Sequence, residues 1–521
     1  MNAILLELLI PVVPLILYLH SQGQKHISTE VPKLLIRYFL YTLGNVLLVT
    51  LSMLLFGSTD LSLAERFDCS PAFVLKFLIL EILIVGMITL VDQAALRYQI
   101  HFQVSSSRVG IFITKILVPS LLPLLAIALV CLNGSLIFDH VLWGDEAFSV
   151  NTASNNIAGI LEILHYWDSH PPLYYLWLHL LISLFGQHGF VYHLSAFLPF
   201  AVGILLAVTG LRKHFGAVPA ALFVIVSGLA APCLEYNQEV RMYSLAFLSL
   251  ALCYYCSYLV IKGSRAAWFF MVLFGLAAAY SHYYALAAAG ILLFLTGAGY
   301  FIRRRGKAWI PGTVSILCFL LGYLPWLPQL LSSTGAVADD WWMTDLLSIR
   351  DALNMIACGE TMKNILLPFL VLLLLMILVL DCGLVRVDVQ KPGVEHSKGH
   401  LNIQLCAPSL KNWTDRTYGC VIGLLTVVGT LLFAYLLCVV MGPVLAARYL
   451  YPLCAIFVMT LIMACSRIQE WISEYAPSAH RPLLSLAGKC CLLAVCGILL
   501  LIGLRNFTTY QFRVEKEKTD T

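Results

Sequence analysis

The sequence predicts an all-α protein that crosses a membrane many times, and three observations support this prediction. Of its 521 residues, 60% are hydrophobic and only 12% are charged. The mean hydropathy is +0.87, well above the value typical of soluble domains. Apolar runs long enough to cross the membrane, which takes roughly 20 residues, recur from residue 3 to residue 503. The chain is therefore not an ordinary soluble enzyme.

Hydropathy and turn residues predict about fourteen spanning segments. We expect helices, because a helix satisfies all its backbone hydrogen bonds within one segment. The first run has neither a basic segment before it nor a small-residue cleavage site, so we expect a retained span. The predicted spans are residues 3–19, 34–56, 73–91, 111–137, 191–211, 217–233, 242–261, 266–281, 284–302, 309–328, 364–380, 418–440, 449–465 and 484–503.

Basic residues predict how the chain is oriented. Lysines and arginines mark the first two predicted loops as cytoplasmic, so residues 138–171 are expected outside. The next segment, 172–186, is apolar but short. If it lies along or re-enters the outer interface, three later basic clusters also fall inside: 212–213, 262–265 and 303–305. We therefore expect a juxtamembrane or re-entrant helix there.

Charge and cysteine content narrow the class of partner. The net charge of +4 comes from 32 basic and 28 acidic residues dispersed over loops, which does not predict nucleic-acid binding. The sequence contains no P-loop or glycine-rich nucleotide motif. Most of the 16 cysteines lie in apolar runs and behave there as small hydrophobic residues. Cys69 and Cys358, both in predicted outer loops, could form a disulfide.

The first predicted outer loop carries a group of polar residues with aromatic neighbours. W-G-D-E occupies 143–146, and Y-W-D-S-H-P-P-L-Y-Y occupies 166–175. An acidic pair alone is typical of a solvated loop, but interfacial aromatic residues would hold this loop at the bilayer surface. Clusters of this kind in membrane proteins indicate function. The candidate site residues here are Asp145, Glu146, Asp168 and His170.

A second group is E-Y-N-Q-E-V-R-M-Y at 235–243. On a helix, Glu239 would share a face with Tyr236 or Tyr243 but not with Arg241. Arg241 would then be free of its nearest acid, and its planar donor fork suits a phosphate. The alternative for this arginine is an interfacial anchor that extends toward the headgroups.

Three weaker signals fall on the same predicted side. They are S-H-Y-Y at 281–284, D-D-W-W at 339–342 and A-A-R-Y-L-Y-P at 446–452. Together the groups give one face with acids, arginines and aromatic rings, as expected of a site for a polar headgroup on an apolar tail. With a lipid-linked sugar phosphate there, arginines would stabilise the leaving phosphate and a carboxylate would deprotonate an acceptor hydroxyl.

These motifs resemble those of a known superfamily. W-G-D-E-A-F-S, D-x-H-P-P-L-Y-Y and Y-x-Q-E-x-R-M-Y, with later H-Y-Y and R-Y-x-Y-P, are similar to the polytopic C-type (GT-C) glycosyltransferases. The resemblance covers roughly residues 139–452. It is nearest to the bacterial branch of dolichyl-phosphate-mannose-protein mannosyltransferases, aminoarabinose transferases and RgtA/B/C/D-like enzymes. It implies 13–15 spanning helices and a catalytic first outer loop with juxtamembrane helices.

The resemblance also implies roles for individual residues. Asp145 would be the catalytic base, with Glu146 assisting, and Arg241 and Arg448 would hold the donor phosphate. The resemblance implies no definite cofactor, since members of this branch often work without a metal, although Asp145, Glu146 and Asp168 could bind a divalent metal. The expected substrate-binding residues are Asp168, His170, Tyr236, Glu239, Tyr243, His282, Tyr283 and Tyr449.

The expected organisation departs from the family at its N-terminus, where 1–108 adds spans of unknown role. The catalytic core is expected over 109–331, including the outer loop 138–171. It is followed by an outer loop 332–363, C-terminal spans 364–503 with a cytoplasmic loop 381–417, and a tail 504–521.

The expected function is transfer of a sugar from a polyprenyl-phosphate donor to a hydroxyl of a glycan, lipid or protein acceptor. The reaction would take place on the outer face of a bacterial cytoplasmic membrane, among membrane lipids and without nucleic acid. The alternative is a transporter or flippase of lipid-linked glycans, which predicts midplane charges and repeated broken helices. A purely structural scaffold would leave the outer acids and arginines without a role.

Overall fold

The computed structural model describes most of the chain after residue 117. The predicted spans 3–19, 34–56 and 73–91, and the D-D-W-W motif, lie outside the described residues. The described ranges are 118–138, 141–168, 170–305, 308–332, 345–381, 385–389, 401–405, 413–478 and 482–520.

Within those ranges the fold is built from helices, and eight of them are long and apolar enough to cross a membrane. The predicted polytopic helical membrane protein is thereby confirmed. Their bounds are Gly189–Phe215, Tyr243–Lys262, Tyr283–Arg304, Trp309–Ser332, Glu360–Leu378, Asp415–Met441, Ala447–Trp471 and Leu492–Val514.

The helices are numbered in chain order, and three helical turns of other types interrupt them in the described ranges. A π-helical turn, Ala207–Leu211, joins α5 to α6, a 3₁₀ turn, Leu324–Trp326, follows α12, and another, Ala447–Leu450, precedes α16. The α-helices are α1 Val118–Leu136, α2 Gly144–Ala153, α3 Ile157–Tyr166, α4 Leu173–Phe185, α5 Gly189–Leu206, α6 Arg212–Phe215, α7 Ala217–Leu229, α8 Ala231–Tyr236, α9 Tyr243–Lys262, α10 Ala266–Ala279, α11 Tyr283–Arg304, α12 Trp309–Tyr323, α13 Ile349–Ile356, α14 Glu360–Asp381, α15 Asp415–Met441, α16 Tyr451–Ser478 and α17 Pro482–Asp520.

A short antiparallel strand pair lies in the segment predicted as a cytoplasmic linker. β1, Val385–Val389, pairs with β2, Leu401–Leu405. Both strands alternate apolar and polar residues, which is the period-two pattern of a strand. The sequence prediction of an all-α chain missed this pair because each strand is only five residues long.

The chain divides into two compact units. One comprises 1–110, 371–413 and 467–498, and the other comprises 111–370, 414–466 and 499–521. In the described part of the first unit, Arg467 forms a buried two-point ion pair with Asp381, with N···O distances of 2.8 and 2.9 Å.

The core of the second unit surrounds α9 and the beginning of α16. α9 packs against α5, α10, α11 and α15, and most of its residues are buried. α16 contributes fully buried apolar side chains such as Leu453 and Val458. Cys454 on the same helix lies with its Sγ 3.2 Å from that of Cys358, and both are free thiols. The possible partner predicted for Cys358, Cys69, lies outside the described residues.

The segment around α4 is short, as predicted for 172–186. α4 has only 13 residues and ends at Gly186, whose φ of 87° suits glycine. Its first turn is fixed because Leu173 N donates to Tyr280 O at 3.0 Å. The residues just before α4 are therefore held next to the end of α10, close to where α11 begins.

Candidate active site

Five segments of the second unit meet at one place. They are the start of α2, the turn before α4, the turn 237–242 between α8 and α9, the residue before α11, and the 3₁₀ turn before α16. The side chains that link them are mostly ones predicted from sequence. Asp145, Glu146, Asp168, His170, Arg241, His282, Arg448 and Tyr449 all take part in the contacts described below.

Glu146 anchors the start of α2 to the turn 237–242. Its Oε2 accepts a hydrogen bond from Trp143 N at 3.1 Å, which caps α2. Its Oε1 accepts from Val240 N at 2.7 Å. Burial raises the pKa of Glu146, although the two backbone donors oppose the shift. With both oxygens engaged by backbone N–H groups, Glu146 is better suited to positioning the loop than to accepting a substrate proton.

Arg241 is a buried cation that no carboxylate pairs with directly among the described residues. Its Nη1 donates to Ser149 Oγ at 3.2 Å and to the backbone oxygen of Asp145 at 3.4 Å. Its Nε is buried and has no hydrogen-bond partner in the described part of the chain. Burial alone would lower the pKa of Arg241, but neighbouring tyrosines and carboxylates raise it, so the guanidinium stays charged.

Asp168 and His170 support Arg241 from the other side. His170 Nδ1 lies 2.6 Å from Asp168 Oδ1, and Tyr175 donates its hydroxyl proton to Asp168 Oδ2 at 2.5 Å. Although burial opposes ionisation, His170 and Tyr175 hold the pKa of Asp168 well below its usual range. Since Nδ1–H donates to Asp168, the His170 Nε2 can accept from Arg241 Nη2, 3.4 Å away.

Asp145 is the accessible carboxylate of the site. Its side chain is 37% exposed and lies 3.4 Å from Arg448 Nη1. The Arg448 guanidinium also lies over two aromatic rings, 5.9 Å from the centre of Trp143 and 5.7 Å from that of Tyr449. An open carboxylate beside a positioned guanidinium combines a candidate base with a candidate anion ligand.

Aromatic rings form one wall of the site. The His282 ring lies 5.8 Å from Tyr243 and 5.6 Å from Tyr449 between ring centres, and Tyr236 lies 4.7 Å from Tyr243. His282 Nδ1 accepts from Tyr284 N at 3.2 Å and so caps α11. Burial first, and the nearby cations second, lower the pKa of His282 to about 3. This imidazole is therefore neutral at physiological pH.

The structure places Tyr283 and Tyr284 in different surroundings. Tyr283 accepts a hydrogen bond from Trp326 Nε1 at 3.4 Å. Tyr284 stacks on Tyr449 with 6.0 Å between ring centres, and its ring lies 6.0 Å from that of His282. The sequence predicts Tyr283 as the site residue, and Tyr284 was missed. The two are adjacent, so the position at which α11 begins determines which of them faces His282 and Tyr449.

The helix expected around Glu239 is interrupted by the turn 237–242. α8 ends at Tyr236 and α9 begins at Tyr243, so the helical spacing that was expected to align Glu239 with Tyr236 or Tyr243 does not apply. The Glu239 side chain has no hydrogen bond or ion pair with any described residue. Burial, and next to it the Glu146 charge, raise the pKa of Glu239 to about 8, against the effect of Arg241.

A buried amide network fixes this turn to α1, and sequence reasoning did not find it. Asn133 is fully buried and donates to Leu129 O and to Gly228 O. Its Oδ1 accepts from Asn237 at 3.2 Å, and its backbone oxygen accepts from Gln238 at 3.2 Å. A polar side chain inside an apolar span was the available signal. Ser149 was also missed, although it lies four residues after Asp145 on the same face of α2.

The predicted metal ligands fit a cation poorly. Glu146 already accepts two backbone hydrogen bonds, and Asp168 is engaged by His170 and Tyr175. In the described ranges no group of three or more His, Cys, Asp or Glu residues is arranged to hold a metal ion. The Asp145 carboxylate forms an ion pair with Arg448 instead.

Comparison of the chain with protein-family models, with curated proteins and with solved structures gave no match.

Proposed function

We propose that the protein is a membrane glycosyltransferase of the GT-C type that uses a polyprenyl-phosphate sugar as donor. The proposal depends on the surroundings of one open carboxylate, Asp145. Arg448 lies 3.4 Å from this carboxylate, Arg241 donates to the backbone oxygen of the same residue, and aromatic rings lie beside them. A lipid-linked sugar phosphate needs these features: cations for its phosphate, a base for the acceptor, and rings for the sugar.

In the proposed reaction Asp145 takes the proton of the acceptor hydroxyl. The acceptor oxygen then forms a bond to the anomeric carbon, and the bond from that carbon to the phosphate oxygen breaks. The electron pair of the broken bond leaves with the polyprenyl phosphate, whose added charge Arg241 and Arg448 stabilise. A single base and no covalent nucleophile predict inversion at the anomeric carbon.

The remaining predicted residues have supporting roles in this proposal. Asp168 and His170 hold Arg241, while Glu146 holds the loop that carries Asp145. Because His282 is neutral, it can offer a sugar hydroxyl a hydrogen bond without pairing with the phosphate. The other ring residues would cover the faces of the sugar: Tyr236, Tyr243 and Tyr449.

We further propose 13–15 spanning helices, with this site at the outer face of a bacterial cytoplasmic membrane. A donor carried by the membrane fits that location, because nucleotide sugars are cytosolic. The acceptor would be a hydroxyl of a glycan, a lipid or a protein.

A transfer assay tests the proposal. Purified protein in lipid nanodiscs is offered a panel of radiolabelled polyprenyl-phosphate sugars, and release or transfer of the sugar is followed. We expect turnover of one donor class, and its loss in Asp145→Asn. Asp351→Asn is the matched control, because this exposed aspartate lies in the first turn of α13. If no donor is turned over by the wild type, or Asp145→Asn is as active as wild type, the proposal is wrong. A transporter or flippase would instead bind donor and tolerate the substitution.

A further inference from the structure

Glu239 occupies an unusual position in the candidate site. It lies in the turn that also carries Arg241, where α8 ends and α9 begins. Its carboxyl forms neither a hydrogen bond nor an ion pair with the described residues, and the residue is partly buried. A carboxylate in this state is disfavoured, because it loses part of its hydration without gaining donors.

Four charged groups act on Glu239, and the titratable hydroxyls that also interact with it are those of Tyr174, Tyr236 and Tyr243. Glu146 on α2 and Glu235 on α8 are negative, while Arg241 on the same turn and Arg448 on the 3₁₀ turn are positive. Glu146 is already held as an acceptor by two backbone N–H groups. A second negative charge close to it is disfavoured, and neither arginine pairs with Glu239 to offset this.

Both effects favour the neutral acid, and they agree with the pKa of about 8 for Glu239. A neutral carboxyl carries an O–H donor. The buried Nε of Arg241, two residues away, is a second donor without a partner in the described part of the chain. Two donors without acceptors, one of them on the charged guanidinium of Arg241, suit a ligand that is anionic and rich in acceptor oxygens.

We propose that Glu239 binds the phosphate group of the ligand in its protonated form, as a hydrogen-bond donor beside Arg241. This inference rests on the proposed function and identifies a third phosphate ligand in that site. The consequence is a pH-dependent affinity. Below the pKa of Glu239 the neutral carboxyl donates to the phosphate, whereas above it the carboxylate repels the phosphate and offsets the charge of Arg241.

The test measures the affinity of the full-length protein, in neutral phosphatidylcholine nanodiscs, for a polyprenyl methyl phosphodiester. This probe keeps a single charge across pH 6.5–9.5, so its own titration does not contribute. For wild type we expect a constant Kd up to about pH 8, and above it a rise approaching about tenfold per pH unit, because one proton is linked to binding. Glu239→Gln keeps a neutral N–H donor, so its Kd should stay constant over the whole range.

Glu235→Gln is the matched control. Glu235 lies four residues earlier, is about half exposed, and has its carboxylate 3.6 Å from Arg513. This variant keeps the Glu239 carboxyl but removes one of the negative charges that raise its pKa. Its Kd should therefore still rise with pH as in wild type, with the rise beginning at a slightly lower pH. Thermal unfolding of each variant checks that it is folded, and the wild-type profile tests the inference even if Glu239→Gln fails to fold.

Two further arms identify the source of the phosphate. Inorganic phosphate and phosphatidylglycerol are tested as competitors, and weak competition by both supports the polyprenyl ligand. Equal competition by either assigns the Glu239 donor to that phosphate and overturns its assignment to the polyprenyl ligand.

Two results would reject the inference in different ways. A wild-type Kd that needs Arg241 but does not change between pH 6.5 and 9.5 would remove Glu239 from the phosphate site and leave the proposed function intact. Absence of binding at every pH, in wild type as well as in the variants, would overturn the proposed function together with the role of Glu239.

Discussion

Two buried arginines of this protein differ in their partners: Arg467 is paired with carboxylates and Arg241 contacts neutral groups. Arg467 is matched by its own acids: Asp381 binds it at two points, Glu470 lies 3.3 Å from its Nη1, and its guanidinium lies over the ring of Trp471. Arg241 has contacts only to a serine hydroxyl, a backbone oxygen and a histidine nitrogen, and its Nε has no partner in the described part of the chain.

The difference indicates what each arginine is for. A buried cation paired with a carboxylate is neutralised within the protein and contributes to structure, because removing its partner leaves an uncompensated charge. A buried cation with only neutral partners is not neutralised, so it can pair with the negative charge of a ligand. We infer that Arg467 holds helices together and that Arg241 is prepared to bind an anion.

The largest expected effect is on stability, and it comes from breaking the ion pair of Arg467 with Asp381. Asp381→Asn removes the buried two-point partner of Arg467 and leaves only the more exposed Glu470. We therefore expect a loss of about 3 kcal/mol in the free energy of unfolding. Donor affinity of the folded fraction should not change. Thermal unfolding in detergent and a donor-binding assay on the same sample measure the two quantities. A variant with unaltered stability would mean that this pair does not hold the fold.

Arg241→Lys should give the reverse result. Lysine keeps the charge but not the planar fork, and losing one charge-assisted hydrogen bond costs about 2 kcal/mol, or roughly 30-fold in donor affinity. Stability should change little. Arg467→Lys is the control, since it should lower the melting temperature without weakening donor binding. If Arg241→Lys binds donor as tightly as wild type, Arg241 is not a phosphate ligand.

Asn133→Leu should affect both properties. The substitution removes the side-chain donor to the Gly228 oxygen and one of the two bonds of the Asn237 amide, which keeps Ser227 O. This should cost about 1–3 kcal/mol and loosen the turn that carries Arg241. We expect lower stability together with weaker donor binding. Ser135→Ala, an exposed position on the same helix, should stay within about 0.5 kcal/mol of wild type. Destabilisation without any effect on donor binding would limit Asn133 to a structural role.

The smallest effect separates two neighbouring tyrosines. Tyr284 packs against His282 and Tyr449, so Tyr284→Ala should cost about 1 kcal/mol of ring contact, or roughly fivefold in KM for the donor. Tyr283→Ala, beside Trp326, should leave KM nearly unchanged. The opposite order of effects would restore Tyr283 as the substrate contact that the sequence suggested.

Some of these features were accessible from the sequence and others were not. Long apolar runs predict the helices directly, and acids or arginines at span ends are conspicuous in so apolar a chain, which is why Asp145 and Arg241 stood out. Ser149, which accepts from Arg241, and Asn133, which fixes the turn that carries Arg241, were not found. Both are common residue types whose importance depends on contacts between distant segments. The Tyr283 choice and the helical reading around Glu239 both depended on a helix boundary, which hydropathy does not locate to a single residue.

The most direct test of the central claim measures donor binding and sugar transfer on one preparation of Asp145→Asn. The account predicts that donor binding stays close to the wild-type value, because Arg241 and Arg448 remain. Transfer should fall by about 10²–10⁴-fold, because the base is lost. If Asp145→Asn retains wild-type transfer, or if wild-type protein binds the donor and moves it across the membrane without breaking the sugar–phosphate bond, the glycosyltransferase account is wrong.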